Sequence, residues 1–359
     1  MRLTACVIAV MLAGTAGMAQ PVPEATKSYG PADAPRHLMV RGTTDIARFE
    51  TVLQLFASRQ SGLRIDYEQW GSNDLYEVTL KDCQIGVSAA DMVISSAVDL
   101  QVKLANDGCA RAHRSAATAS LPQVSNWRDE VFGITRELAV IVYNRRLLSD
   151  AEVPRSRVDL LDLLRPEDSR LRGRVATYDI EASGLGYLFA FADAQQATTF
   201  GSLIEAFGRS GAIATCCSAE IIDGVANGTY LIAYNVLASY ALARAEDNPD
   251  IVAVAPDDYT LVLARAALIP RQAAASERAR AFLDFLLSEA GRSALKADHL
   301  IVSTSVGTPA SLVLPDTPET SFRPIALSPS LLVGLDQHKR REFVSLWRST
   351  FPNERAQPE

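Results

Sequence analysis

The sequence predicts an α/β protein of two domains, each a doubly wound mixed sheet, joined by two crossover segments. Three observations lead there. Short apolar strands alternate with amphipathic helices along most of the chain. The strand-to-helix junctions are polar and rich in hydroxyls, and they recur in both halves. The chain has 359 residues, 48% of them hydrophobic, which exceeds what one hydrophobic core normally organises.

The elements follow in order. Residues 21–35, rich in proline and polar groups, read as a loose leader. A first strand at 36–40 runs into Thr43-Thr44-Asp45, all helix-capping types. The helix after it carries Ile46, Phe49, Val52, Leu53 and Phe56 on one face. A second strand at 64–70 ends at Gly71-Ser72-Asn73-Asp74, where another helix starts. A third, 90–94, runs into Ser95-Ser96, and its helix stops at Gly108. In an open α/β sheet such junctions gather at the carboxyl edge of the strands, where ligands bind.

Residues 137–144 form an apolar strand with no helix directly after it, read as the first crossover. A capped helix lies within 153–166. Residues 174–178 are a buried strand, followed by a polar turn and a helix opening at Ser183-Gly184. An amphipathic helix covers 200–207. A strand over 228–234 ends at Asn235 and is followed by the helix 236–245. The strand 251–255 stops at Pro256, 258–264 is the return crossover, and 266–270 rejoins the first domain. A helix spans 277–290, a proline-rich arm 309–324 and a final helix 331–347. The expected division is 36–140 plus 262–350 for the first lobe and 141–261 for the second, hinged near Tyr143 and Tyr259.

The formal charge is 35 − 42 = −7, with no basic run, so a nucleic-acid partner is not expected. Residues 1–19 carry Arg2, an apolar run over 5–13, and Gly17-Met18-Ala19. This is the layout of a cleavable signal peptide cut after Ala19. Cys6 lacks the small-residue context of a lipoprotein site, so a soluble exported protein in the periplasm is expected. Four cysteines then remain. Cys83 and Cys109 flank one predicted strand and are the preferred disulfide. Cys216 and Cys217 are left open between a vicinal bridge and buried thiols.

Around the junction 176–189, free backbone N–H groups, the helix dipole and the Ser183 hydroxyl offer half of an anion site, and Gly184 permits close approach. The plain alternative is a strand-to-helix turn with a serine cap. Gly184-Leu185-Gly186 is not a dinucleotide fingerprint, because the third glycine would fall on Phe189. The four histidines are scattered and none stands at a junction beside a nucleophile, so an enzyme is not expected. No cofactor and no metal is expected.

Three stretches, 90–108, 177–189 and 279–291, together with the element order, resemble a periplasmic substrate-binding protein of an ABC-type importer in the two-crossover, type II class. The branch it most resembles contains iron(III) carriers, phosphoglycerate-regulatory proteins and hexose-phosphate binders. The resemblance implies a monomer that holds a small anionic ligand, phosphorylated or carboxylated, between two lobes. It implies an ABC permease in the inner membrane as partner, or a membrane sensor kinase to which the ligand state is presented. Iron carriers of the branch present two adjacent tyrosines. Here Tyr234 and Tyr240 are six apart and fall on different faces, so an iron(III) carrier is the lesser alternative. Expected ligand contacts are Thr43, Thr44, Ser72, Asn73, Ser95 and Ser96 in the first lobe. In the second they are Thr177, Glu181, Ser183, Gly184, Tyr234 and Asn235. For Ser95 and Ser96 the competing role is helix capping, for Glu181 a solvent-facing position, for Tyr234 a core position. Arg41, Lys103 and Arg136 are candidate supplementary cations, and Trp70 a candidate stacking ring.

Overall fold

A computed structural model describes residues 21–304 and 308–351. The signal segment 1–19 lies outside the described residues. The remainder forms two mixed sheets flanked by helices, the two-lobed α/β architecture expected.

In the first sheet the strands run in the order Ala25–Tyr29, Leu63–Gln69, Arg36–Gly42, Met92–Ser95, Ala266–Pro270, Val131–Gly133 and Asn126–Trp127. Arg36–Gly42 is parallel to both Leu63–Gln69 and Met92–Ser95. All three therefore deliver their following helices to one edge. The helix Ile46–Ser58 buries Phe49, Val52, Leu53 and Phe56, the stripe legible in the sequence. Residues 25–29, expected as part of a loose leader, are an edge strand antiparallel to Leu63–Gln69. Their Ala-Thr-Lys-Ser-Tyr run lacks an apolar pattern because an edge strand can be held by backbone bonds alone.

The second sheet runs Ile213–Thr215, Val175–Tyr178, Ile232–Leu237, Glu137–Asn144, Ile251–Val254 and Leu312–Val313. The chain changes sheets between Gly133 and Glu137 and returns between Leu263 and Ala266. These two passages lie side by side: Leu263 is paired with Glu137, and Ala266 with Gly133. The hinge expected near Tyr143 and Tyr259 is therefore displaced. Tyr143 is clamped within its strand opposite Ile232 and Val252. The Tyr259 hydroxyl donates to Asp193, 3.0 Å away. Both belong to the body of the second lobe.

The C-terminal segment also departs from expectation. Leu312–Val313 and Phe322–Pro324 pair with strands of the second sheet. The helix Gln337–Thr350 sets Phe343 among Tyr187, Phe191 and Phe200. The strands at 312–313 and 322–324 and the final helix thus pack on the second lobe, while the stretch between them also touches the first, where the Leu327 N–H donates to the Val124 carbonyl. The apolar stripe of this helix was readable, but a stripe does not say which lobe covers it. Cys83 and Cys109 are joined, with Cα atoms 5.5 Å apart, tying the end of the helix Ser72–Gln84 to the turn after Val98–Asn106. Cys216 and Cys217 are joined to each other.

Candidate functional site: the cleft between the lobes

A cavity of about 180 Å³ lies where the two lobes meet. On the first-lobe wall, the strand Arg36–Gly42 delivers Thr43 and the strand Met92–Ser95 delivers Ser96. The Thr43 Oγ1 accepts from the Ser96 backbone N–H at 2.9 Å and lies 3.1 Å from its hydroxyl. Ser72 opens the helix Ser72–Gln84 on the same wall. On the second-lobe wall, Ser183 caps the helix Gly184–Gln196 by accepting from the Gly186 N–H at 3.1 Å. Tyr178 and Ser218 stand beside it, their hydroxyls 2.5 Å apart. The joined Cys216–Cys217 pair leads directly into the helix Ser218–Ala226 and also lines the cavity.

Contacts cross the gap. The Gly184 N–H donates to the Ser72 hydroxyl at 2.9 Å. Asn73 Nδ2 donates to the carbonyls of Glu181 and Ala182 at 2.9 and 3.2 Å. The Tyr240 hydroxyl donates to Asp45 at 3.1 Å. The lobes are therefore closed on one another.

Six helices begin at this cavity: those starting at Ile46, Ser72, Val98, Gly184, Ser218 and Ala238, each represented in the lining by its capping or first residue or, at Val98, by nearby Ser96. Each helix start carries a partial positive charge, and several of the N–H groups there are already engaged, Ile46 with Gln69, Gly184 with Ser72 and Gly186 with Ser183. One full positive charge joins them. Arg265 lines the cavity while itself only 1% exposed, bonded through Nε to Glu137 at 2.7 Å and through Nη1 to the Thr44 hydroxyl at 3.0 Å. Burial alone would lower its pKa. Burial is the largest single influence, but Glu137, by charge and hydrogen bond, together with Tyr240 and Tyr67, overcomes it and holds the guanidinium above the ordinary arginine value. Glu24, Asp45 and Asp74 contribute acceptors to the same lining.

The structure thus brings Thr43, Ser72, Ser96 and Ser183 to the cavity, with Asn73 and Gly184 at the seam between the lobes. Thr44 and Ser95 lie behind the wall: the former is committed to Arg265 and, through its carbonyl, to Tyr67, and the latter caps the Ala97 N–H at 3.1 Å. Four residues are not brought there. Thr177 donates to the Tyr234 carbonyl, and Tyr234 and Asn235 both donate to Asp193, at 2.7 and 3.0 Å, around a separate void of about 20 Å³ inside the second lobe. Side chains alternate along a strand, so when Tyr178 faces the cleft its neighbour Thr177 faces away. The Glu181 side chain pairs outward with Arg348, at 2.7 Å from Nε.

The three candidate cations are engaged elsewhere. Arg41 pairs with Glu68 and lies over Trp70, Lys103 pairs with Asp107, and Arg136 donates to the Val302 carbonyl. Sequence reasoning missed Arg265, Tyr178, Ser218 and Tyr240. A signal for Arg265 existed: it is the single charged residue between Asp258 and Arg271, and a charge is rarely kept inside an apolar run without a partner or a task.

Burial, opposed by its bond to Ser218, pushes the Tyr178 phenol up to about 12. Burial likewise holds Tyr240 above its ordinary value. Among the described residues the one cluster with metal-ligating types is Cys216, Cys217 and Glu220. Its two sulfurs are bonded to each other and offer no thiolate.

A two-lobed fold with paired crossovers and a closed polar cleft defines a binding protein of the type II periplasmic class. The sequence profile of the bacterial extracellular solute-binding proteins matches residues 42–300, and the chain belongs to that family. It is similar to the substrate-binding protein of an ABC transporter from Agrobacterium tumefaciens, with 31% identity and a TM-score of 0.83 over 93% of this chain and 100% of that one. Two further solved structures show the fold alone. Iron-bound HitA from Pseudomonas aeruginosa is 17% identical, with a TM-score of 0.66 over 88% of this chain and 99% of that one. AfuA from Actinobacillus pleuropneumoniae, with exogenous fructose-6-phosphate bound, is 16% identical, with a TM-score of 0.69 over 88% of this chain and 99% of that one. A search of curated proteins returned no match. The chain is a solute-binding protein of an ABC transporter, working with a membrane permease outside the cytoplasm, and not an enzyme.

Proposed function

We propose that the solute is a small anionic metabolite, phosphorylated or carboxylated, enclosed between the lobes. The observation that supports this most is the convergence of six helix starts and the Arg265 guanidinium on one enclosed cavity. Oriented N–H groups and hydroxyls hold an oxyanion through fixed, directional donors, and a buried guanidinium strengthens that preference. Asp45 and Asp74 would accept from hydroxyls of the same molecule, as expected for a hydroxylated metabolite rather than a bare inorganic ion. The cavity has room for about six water molecules' worth of volume, which favours a compact ligand. AfuA, with its bound sugar phosphate, is a fold-level parallel.

The iron(III) reading has less support. Tyr234 and Tyr240 are in different cavities, and burial keeps the cleft phenols Tyr178 and Tyr240 protonated. The test is a thermal-shift and calorimetric screen of the purified chain. It covers phosphorylated three- and six-carbon metabolites, di- and tricarboxylates, inorganic phosphate and iron(III). One organic anion should bind saturably and stabilise by about 3 kcal/mol at a hundredfold excess over Kd. Binding by iron(III) alone would overturn the reading.

A further inference from the structure

A second cavity, about 360 Å³ in volume, shares no lining residue with the cleft. It lies within the volume range of small-molecule sites and is twice the size of the cleft cavity. Its walls come from three parts of the molecule. The first lobe supplies Asp99, from the helix Val98–Asn106. The second supplies Tyr187 and Phe191 from the helix Gly184–Gln196. The C-terminal arm closes it with residues such as Ile325 and Leu331.

The lining is mainly apolar, yet it contains a buried carboxyl. Asp99 is 3% exposed, and its Oδ1 has no hydrogen-bond partner. A buried acceptor left open calls for an explanation, because burying it unpaired is unfavourable. Among the described residues no cation forms an ion pair with Asp99. Arg323, also in the lining, donates to the carbonyls of Thr320 and Phe322. Arg340 lies over the Tyr187 ring, 5.0 Å from its centroid.

We propose that this cavity is a second ligand site, built for an organic cation with a hydrocarbon body: an ammonium or amidinium that closes on Asp99 while its apolar part fills the space against Phe191 and Leu331. The ammonium would supply the missing donor and the counter-charge together, and apolar walls disfavour a ligand without a carbon skeleton. Burial is the largest influence on Asp99 and pushes its carboxyl up to about 7, against the backbone N–H of Leu100 and the charge of Arg340. Tyr76 and Tyr187, the titratable groups that sense it from the neighbouring helices, stay neutral in this range because burial raises them as well. A cation would therefore draw the carboxyl into its ionised form on binding. Because both lobes supply wall residues, occupancy also bears on lobe closure. By reciprocity, a cleft ligand would then change amine affinity by the same factor as the amine changes its own.

The inference is independent of the nature of the cleft ligand. The experiment is isothermal titration of the mature chain with three probes of one shape: 2-phenylethylamine, 2-phenylethanol and 3-phenylpropanoate. Saturable one-to-one binding is expected for the amine, at least tenfold weaker binding for the alcohol, and none for the carboxylate. Asp99→Asn should weaken the amine at least tenfold. Ala192→Phe, which fills the cavity from another wall and leaves Asp99 intact, should abolish binding. Absence of amine binding, equal binding of the three probes, or full amine affinity in Ala192→Phe would overturn the proposal. Anion capture in the cleft is read separately in the same samples.

Discussion

Arg265 Nε lies 2.7 Å from the Glu137 carboxylate, with the two side chains 1% and 0% exposed, and each residue sits on one of the two passages between the lobes. The two passages are thus joined by a buried ion pair, which the Thr135 and Ser239 hydroxyls complete by donating to the same carboxylate. Removing one partner strands the other in a buried position without its counter-charge. Glu137→Ala is expected to lower stability by about 3–5 kcal/mol. The double change Glu137→Leu with Arg265→Met should recover much of that loss while abolishing capture of an anionic ligand. Urea unfolding and calorimetry on the two variants separate the effects. A double variant that still binds would remove Arg265 from the site.

Gly184 stands at the seam. A Cβ there would come within 3.0 Å of Asn73 Oδ1 and 3.1 Å of both Ala97 Cβ and Ser72 Oγ, so closure has no room for it. Gly184→Ala should leave the melting temperature of the free protein nearly unchanged and weaken ligand affinity by about tenfold, equivalent to about 1.4 kcal/mol. Solution scattering with saturating ligand should show a larger radius of gyration than in the wild type. An unaltered affinity would mean that the seam contacts do not govern capture.

Tyr234 lines the void inside the second lobe and Ser96 lines the cleft, so variants at the two residues distinguish the cavities. Tyr234→Phe removes one donor to the buried Asp193 and should destabilise by about 1–3 kcal/mol without changing ligand affinity. Ser96→Ala should do the reverse, with at least a fivefold affinity loss and little change in unfolding. An exchange of these outcomes would place the ligand behind the second sheet.

Much of this arrangement was legible in the sequence. The stripe from Phe49 to Phe56, the strand endings at Thr43 and Ser96 and the cap at Ser183 are local signals, carried by periodicity and capping chemistry. The errors are non-local. Thr177 lies near a strand end as expected, whereas the strand carrying Tyr234 runs on to Leu237, and the face each residue presents depends on strand register, which no stretch of sequence states by itself. The final helix shows its stripe yet not its host. Arg265 depends on Glu137, 128 positions away, and that pairing exists only once both crossovers are side by side.

Asp99 provides a pH test of the second cavity. Its carboxyl is raised in the folded state to about 7, chiefly by burial, while an unfolded aspartate titrates near 4. Between these values the folded chain binds more protons than the unfolded one, so this group makes stability fall as pH rises, by up to a few kcal/mol, and adds no further change above about 7. Asp99→Asn removes the effect. The variant should gain on the wild type from about pH 4 to about pH 8 in urea unfolding. A constant difference across that window would show that Asp99 is ionised throughout.

The joined sulfurs of Cys216 and Cys217 have a consequence for timing. They form part of the cleft lining, and a reducing cytosol keeps neighbouring thiols apart. On the proposed reading of the cleft, this stretch of its wall takes its final covalent form only in an oxidising compartment, and a copy of the chain held in the cytosol would present a dithiol there instead.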